Sequence, residues 1–449
     1  MKIPNRALTV IRKLKDAGHK AYLVGGSVRN YYLGLPLSDI DITTDALPRE
    51  VEQLFSDRTV IETGIRHGTV TVLVDGEPVE ITTFRTENGY SDHRRPDEVT
   101  FVSDPKEDVS RRDFTINSLL YDPDTGLTDY FKGMEDLESG IIRAIGDPDS
   151  RFNEDPLRIL RAIRFASQFG FAIEEGTADS LHRNRDLLKE ISAERIFAEL
   201  KKLLMGPDVR KVLLEYVDII GVFIPELLKA KGFDQKNRHH IYDVLEHTAV
   251  SVENAPKDEI SRLVMLLHDI GKPYTFTLDE KGEGHFYGHA QKSYELCIDI
   301  LRRLKASNEE KERILKLVRY HDSPLMPTEK SMRRALNRFG EEDLRRLIDI
   351  KRADNLRQNY RVYNRSMEYD ELEDVLDEVL AKDRCFSLRQ LAVGGRDLIE
   401  IGVPRNKVMG DILDRLLDLV IDGELSNDRE TLLGKAVELL SQISHDQES

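Results

Sequence analysis

The apolar periodicity switches near Glu135, and that switch limits the architecture more than any other feature. Before it, short β-rich segments (Ala21–Val24, Asp39–Thr43, Thr69–Leu73 and Val79–Phe84) alternate with short helices at irregular spacing, an α+β pattern. After it, Ser150–Phe169, Arg195–Leu204, Val209–Tyr216, Ile260–His268 and Ser293–Leu304 carry apolar residues at i, i+3 and i+4, the mark of helices with one buried face. A mixed head followed by an all-helical remainder is therefore expected. At 449 residues the chain exceeds what one core supports. Breaks at Ile145–Asp149, Lys231–Asn237 and after Tyr360 suggest domains over residues 1–135, 136–232, 233–360 and 361–449.

Composition narrows the compartment and the partners. No apolar run approaches the roughly 18 residues of a membrane span. The N-terminal segment is broken by charges and reads as a helix, not a signal peptide. Cys297 and Cys385 form neither a disulfide framework nor a zinc spacing, which suits a reducing cytoplasm. The net charge of −16 argues against nucleic-acid binding by the whole surface. Residues 301–361 nevertheless hold 17 Lys and Arg against 10 Asp and Glu, either a local RNA-phosphate surface or a set of solvated helix faces. Charge reversal at Arg333, Arg334, Arg345 and Arg346 separates the two readings, because only an RNA surface would lose tRNA affinity.

The chemistry begins at Gly25-Gly26-Ser27-Val28-Arg29, directly after the first apolar strand. Backbone N–H groups at such a helix start can cradle a phosphate, and Arg29 one turn on adds charge. Asp39 and Asp41 follow on a stretch, Ser38–Thr44, that reads as a strand. Residues two apart on a strand share a face, so the two carboxylates would converge as Mg²⁺ on a nucleoside triphosphate requires. A plain glycine turn and an Asp-rich loop would look the same. Arg111-Arg112 before the apolar run Ser118–Tyr121 could bind triphosphate oxygens or pair with Asp108 or Asp113. In Glu154-Asp155-Pro156-Leu157-Arg158, Asp155 and Arg158 stand i, i+3 on a helix. There they could present an acceptor beside two donors to a base edge, or form an ordinary ion pair.

A second group lies between Phe233 and Tyr360. His247, the pair His268-Asp269, His289, His321 and Asp354 fall on or after successive helices, where imidazoles and carboxylates can converge on one or two divalent metals. Such a centre, loaded with a transition metal or Mg²⁺, can hydrolyse a phosphoester. A hydrogen-bonded structural role suits any one of these histidines taken alone. His239, His240 and His285 are read as surface residues.

These motifs carry a family resemblance. GGSVRN…LGLPLSDIDI, ITTFRTENGYSDHRRPDEVTF, RRDFTINSLLYD, DYFKGMEDLESGIIRAIGDP and FNEDPLRILRAIRF resemble the ordered motifs of class II tRNA nucleotidyltransferases, the bacterial CCA-adding enzymes, and of their poly(A) polymerase relatives. The likeness covers roughly residues 20–225 and resumes over 391–436. It implies an α+β nucleotidyltransferase head of the polymerase β type, then an all-α neck, body and tail. It also implies CTP, ATP and tRNA as partners, with Asp39 and Asp41 holding Mg²⁺. Gly26, Arg29 and Arg112 would contact the triphosphate. Asp155 and Arg158 would read the base, and Arg161 and Arg164 would complete the nucleotide site. Arg85, Glu87, Arg94 and Arg95 would lie in a loop that matters for the change from C to A, and Glu80 would be a third carboxylate near the metals. One departure is Asn30, where the family usually has Asp. The middle segment resembles HD-domain metal phosphohydrolases, with His289 and His321 matching the extra ligands of dinuclear members. Alarmone synthetase/hydrolases place the HD domain first and lack the GGxVR and EDxxR motifs. The remaining alternatives are a poly(A) polymerase, an HD hydrolase with a transferase-derived RNA scaffold, and a noncatalytic RNA-binding protein.

Overall fold

The computed structural model describes residues 3–37, 39–62, 64–89, 98–237, 241–355, 366–382 and 386–448. The chain divides into two compact units, Met1–Lys229 with Ile300–Ala306, and Ala230–Asp299 with Ser307–Ser449.

The first unit is built on a mixed sheet of seven strands. β1 (Ala21–Val24), β2 (Asp41–Thr44), β3 (Val60–Ile61), β4 (Thr69–Val74) and β5 (Glu77–Thr83) run in the order β3-β4-β5-β2-β1, followed by Leu120–Asp122 and Gly126–Thr128. Within this sheet, among the described residues, only β2 and β5 pair in parallel, and their register sets Asp41 opposite Glu80. Strict alternation along β4 buries Val70, Val72 and Val74, so one face of the sheet makes the core. The helix Asn5–Asp16 contributes Ala7, Val10, Ile11 and Leu14 to the buried set, at the spacing of one helical face.

After the head the first unit is helical. Leu157–Phe169 is buried along almost its whole length and packs against Ala193–Leu204. Phe114, fully buried, meets Phe165 edge-on at 5.9 Å and ties the polar segment Arg111–Asn117 of the head to this helix. In the second unit, helices Val244–Asn254, Glu259–Leu267 and Asn308–Tyr320 gather with Glu329–Asn355, which is interrupted at Gly340 by a left-handed φ of 72°. The C-terminal helices Lys407–Ile421 and Arg429–Glu448 pack through a separate core that includes Leu398, Ile412, Leu416 and Leu432.

Two expected elements differ. The strand foreseen over Ser38–Thr44 begins only at Asp41. β1 ends at Val24, where Gly25 turns the chain into the next helix, so Asp39 and Ile40 lose their partner on that side, while on the other side Glu80 still donates its amide to the Ile40 carbonyl at 2.9 Å. The helix foreseen over Ser150–Phe169 is two helices, Pro148–Glu154 and Leu157–Phe169. Pro156 forces Asp155 into an extended conformation, and the first helix stops there.

The arginines proposed as an RNA surface are already engaged. Arg333 pairs with Glu329 at 3.2 Å, Arg334 with Asp422 at 2.8 Å, Arg345 with Asp377 at 2.6 Å, and Arg346 with Asp343 at 2.8 Å. At these four positions the ion-paired helix face is the reading the structure favours.

Truncating the buried ring that joins head and neck tests the packing. Phe114→Ala should destabilise the first unit by ~3–5 kcal/mol, seen as a lower urea midpoint with no change in far-UV helix signal at zero denaturant.

Candidate active site and metal centre

Around the glycine pair, one hydroxyl organises the backbone. Gly25 has φ +64°, a conformation that favours glycine, and a Cβ there would displace the Arg112 guanidinium, whose Nη1 would lie 2.7 Å away. The helix Gly26–Tyr32 starts at the next residue. Ser27 Oγ donates to the carbonyl of Asp39 at 2.7 Å and accepts from the Asp41 amide at 3.2 Å. The turn and the carboxylate segment are thereby held together although Asp39 lies outside the strand. Asp39 is exposed and Asp41 half-buried.

The carboxylates of this region feel one another. Burial raises the pKa of Asp41; Asp39 adds to this, while Arg112 and Arg29 oppose it. Burial raises Glu80 as well, with Asp41 and Asp39 adding to it. A divalent cation relieves such mutual repulsion, so the donor set fits a hard metal. The three are more widely spaced than the ligand groups of the second unit. Beside them, Arg112 Nε is buried without a hydrogen-bond partner among the described residues. Arg111 instead takes the ion-pair reading, bonded to Asp108 at 2.8 Å and Glu87 at 2.8 Å, with Arg85 on Glu87 at 2.7 Å. Arg94 and Arg95 lie outside the described residues.

Arg29 turns away from the surface. Its guanidinium donates to Asn117 Oδ1 and, at 2.8 Å, to Asn30 Oδ1, and it lies 4.9 Å and 4.8 Å over the rings of Phe165 and Phe169. Burial pushes its pKa down to about 10. The amide of Asn30 thus accepts the bond a carboxylate would take, but leaves the charge of Arg29 uncompensated at that point. Asn117 in turn donates to Asp113 at 2.9 Å, and Asp113 accepts from Arg161 at 2.8 Å. Arg164 stacks 4.1 Å over Phe165 and pairs with Glu199 at 2.8 Å.

Asp155 and Arg158 do not share a helix face. Asp155 faces Arg195 at 3.3 Å, and its Oδ1 accepts from the Leu157 amide at 3.2 Å. Arg158 donates to Glu154 at 2.6 Å and to the carbonyls of Arg151 and Arg111. Each has its own partner, and the mutual pair foreseen from spacing is replaced because Pro156 breaks the helix between them.

In the second unit five helical segments deliver ligands to one point. His247, His268, Asp269 and Asp354 bring donor atoms within 4.8 Å of one another, and Asp269, His289 and His321 form an adjoining group. The Nδ1 atoms of His268, His289 and His321 each bond the backbone carbonyl three residues earlier, at 2.7, 2.9 and 2.7 Å. As donor bonds to carbonyls, these leave Nε2 as a bare lone pair. Yet Nε2 of His268 faces Nε2 of His247 at 3.4 Å, and Nε2 of His289 faces that of His321 at 3.3 Å. His247 Nε2 can donate to the Asp354 carboxylate at 2.8 Å, whereas the lone pairs of His289 and His321 oppose one another and repel unless a cation lies between them. The surrounding field favours one: burial pulls the pKa of His268 down, but Asp269 and Asp354 outweigh it and lift it to about 10. Asp269 divides its oxygens, Oδ2 toward His247 (3.4 Å) and His268 (3.2 Å), Oδ1 toward His289 (3.5 Å) and His321 (3.8 Å). This is the arrangement of a carboxylate that could bridge two metal ions. Lys272 reaches Asp269 at 2.7 Å and Gln235 at 3.0 Å. A cavity of about 960 Å³ opens on Asp269, His289, His321 and Asp354, with exposed Tyr287 and Met326 among its walls. His285 stands apart, paired with Asp279 at 3.4 Å; His239 and His240 lie outside the described residues.

Sequence reasoning did not single out Ser27, Asn117, Glu199 or Lys272, and it named Asp113 only as a partner for Arg111-Arg112, whereas Asp113 pairs with Arg161. Ser27 and Lys272 sit inside quoted motifs, GGSVR and HDIGK, and their position there was the available signal. Glu199 acts from a helix 35 residues beyond its partner, where no local pattern marks it.

The family comparisons agree with this layout. The profile of the Poly A polymerase head domain matches residues 21–143, that of the probable RNA and SrmB-binding site of polymerase A matches 170–231, and that of the HD domain matches 238–359. Fold and site together define a nucleotidyltransferase carrying an HD domain. The CCA-adding enzyme of Ligilactobacillus salivarius is 35% identical over 438 residues, 97% of each chain, and that of Lactobacillus helveticus is 37% identical over 435 residues, 95% of each. The crystal structure of the Bacillus stearothermophilus CCA-adding enzyme in complex with CTP superposes with a TM-score of 0.73 at 28% identity, covering 100% of both chains. This chain belongs to the CCA-adding enzyme family. No helix among the described residues is long and apolar enough to cross a membrane.

The Asp113–Arg161 pair yields a pH test. Burial alone would raise Asp113, but Arg161 and the Asn117 bond outweigh it and hold the carboxyl well below the usual carboxylate range. A depressed folded-state pKa stabilises above the unfolded value, near 4, and that contribution is lost as pH falls. Wild-type stability of the first unit should therefore drop steeply below about pH 4. Asp113→Asn should be weaker by ~3–5 kcal/mol at pH 7, with a shallower acid limb in urea titrations run at several pH values.

Proposed function

We propose that this chain adds C, C and A to the 3′ ends of tRNA from CTP and ATP, without a nucleic-acid template. The observation that carries this reading is the hydroxyl bridge of Ser27, which keeps the Gly25–Gly26 turn and the Asp39–Asp41 carboxylates in one fixed relation beside the unpartnered Nε of Arg112. Residues 1–135 act as the head, 136–232 as the neck and body that handle base and RNA, 233–360 as the HD domain, and 361–449 as a tRNA-binding tail. The work belongs in the cytoplasm with its substrate.

Asp39 and Asp41 are the metal-binding carboxylates, with Glu80 in support. Two Mg²⁺ ions held there would neutralise the triphosphate and activate the terminal 3′-hydroxyl. Arg112, with Gly26 at the turn, receives the triphosphate; Arg29, Arg161 and Arg164 shape the nucleotide pocket around Phe165. Asp155 and Arg158 select the base. In the chain alone Arg195 holds Asp155 and Glu154 holds Arg158, so base reading takes an exchange of partners. Positioning and charge neutralisation supply most of the rate enhancement.

Labelled CTP or ATP should be offered with tRNAs ending before CCA, after C and after CC. C should enter the first two, and a single A the third. Long A tails would identify a poly(A) polymerase instead. Asp41→Ala should abolish incorporation; activity near wild type would overturn the carboxylate assignment.

A second activity is favoured by the divided oxygens of Asp269. We assign the HD centre a metal-dependent phosphohydrolase activity. Bis-p-nitrophenyl phosphate with Mn²⁺, Ni²⁺ or Mg²⁺ should be hydrolysed, and Asp269→Ala should remove at least ~100-fold of that rate. Hydrolysis untouched by this change would refute the assignment.

A further inference from the structure

Among the described residues of 301–361, three cations lie over aromatic rings instead of pairing with carboxylates. Tyr320 meets Phe339 edge-on, 5.5 Å between centroids at 89°. Arg338 lies 4.8 Å over the Tyr320 ring, Lys316 5.1 Å over Phe339, and Arg319 5.2 Å over Tyr294. None of these three cations pairs with a carboxylate among the described residues, and Arg319 and Arg338 are exposed. A groove of about 410 Å³ runs along this cluster, lined by Tyr320, Phe339, Lys330, Arg334 and Arg338 and by no acidic side chain. Lys330 and Arg334 share one anion, Asp422, at 3.1 and 2.8 Å, so the groove keeps excess positive charge. It shares Pro324, Leu325 and Met326 with the cavity of the metal centre, and the two are contiguous.

We propose that this groove binds a single strand of RNA. A phosphodiester chain matches it in two independent ways. Its regularly spaced anions meet a cation cluster with a single anion, Asp422, behind it, and a base can stack on the exposed guanidinium of Arg338 that Tyr320 backs, a surface that a purely acidic peptide would leave unused. The inference rests on the proposed tRNA-directed activity only for the choice of RNA over DNA. It moves the local basic surface away from Arg333, Arg345 and Arg346, whose charges are spent on carboxylates, to Lys316, Arg319 and Arg338.

Anisotropy of fluorescein-labelled decauridylate on the full chain, measured across a KCl series, tests this. The double variant Arg319→Gln/Arg338→Gln should bind about 10-fold more weakly near 0.1 M salt, and the slope of log K against log salt should shrink by about 1.4, two contacts at ~0.7 each. Tyr320→Leu should weaken binding by about 5-fold or more without changing that slope. Arg345→Gln, whose guanidinium sits between Glu341 and Asp377, should leave affinity and slope unchanged. The proposal is overturned if the double variant binds like wild type, if Arg345→Gln loses as much, or if decaglutamate competes as well as unlabelled decauridylate. Anisotropy needs no turnover, so failure of the phosphohydrolase assignment leaves this result standing. Nucleotide incorporation by the same preparations reports separately on the transferase assignment.

Discussion

The buried negative charge of Asp113 is what the first unit is arranged around. One oxygen binds Arg161 on the neck helix, and the other binds Asn117, which in turn receives Arg29 from the glycine-turn helix. Three segments far apart in sequence are thus fixed by one carboxylate. A buried ion pair is a poor source of net stability, because desolvation offsets much of the attraction. Its worth here is geometric: it orients guanidinium groups around Phe165 that would otherwise repel one another. Arg29, Arg161 and Arg164 can crowd one ring only because Asp113 and Glu199 sit behind them.

The second unit solves a related problem by different means. Histidine ligands need a defined tautomer, and three of them obtain it from a backbone carbonyl three residues earlier. For His268 and His321 the residue caps its helix, so the last carbonyls of the helix gain a donor while the ring gains an orientation. Helix termination and ligand positioning are one event at these positions.

Much of this was legible in the sequence where the pattern is local. β1 was placed to the residue, and the helices Arg195–Leu204 and Ile260–His268 to within two residues of their observed ends. The six HD residues were named from order alone, and the structure draws them into two adjoining groups. What escaped was set by tertiary geometry. The length of β2 depends on where its neighbour ends, which residues 38–44 do not encode. The partners of Asp155 and Arg158 depend on Arg195 and on a proline break that helical periodicity conceals. Charge counting over 301–361 could not separate paired from unpaired arginines, since pairing with Glu329, Asp377 or Asp422 is invisible until the helices are packed.

Ser27 sets an unusual limit on how this chain can drift. Its hydroxyl both gives and takes a proton across a gap that is nearly closed to solvent, so the position tolerates neither loss of the oxygen nor added bulk. Alanine would leave a buried amide and carbonyl unanswered, and cysteine offers a longer, weaker bond. The acidic residues carry the charge, yet their separation from the glycine turn is gauged by a side chain with no charge at all. Ser27 is thus the spacer by which the glycine turn and the Asp39–Asp41 segment keep their distance.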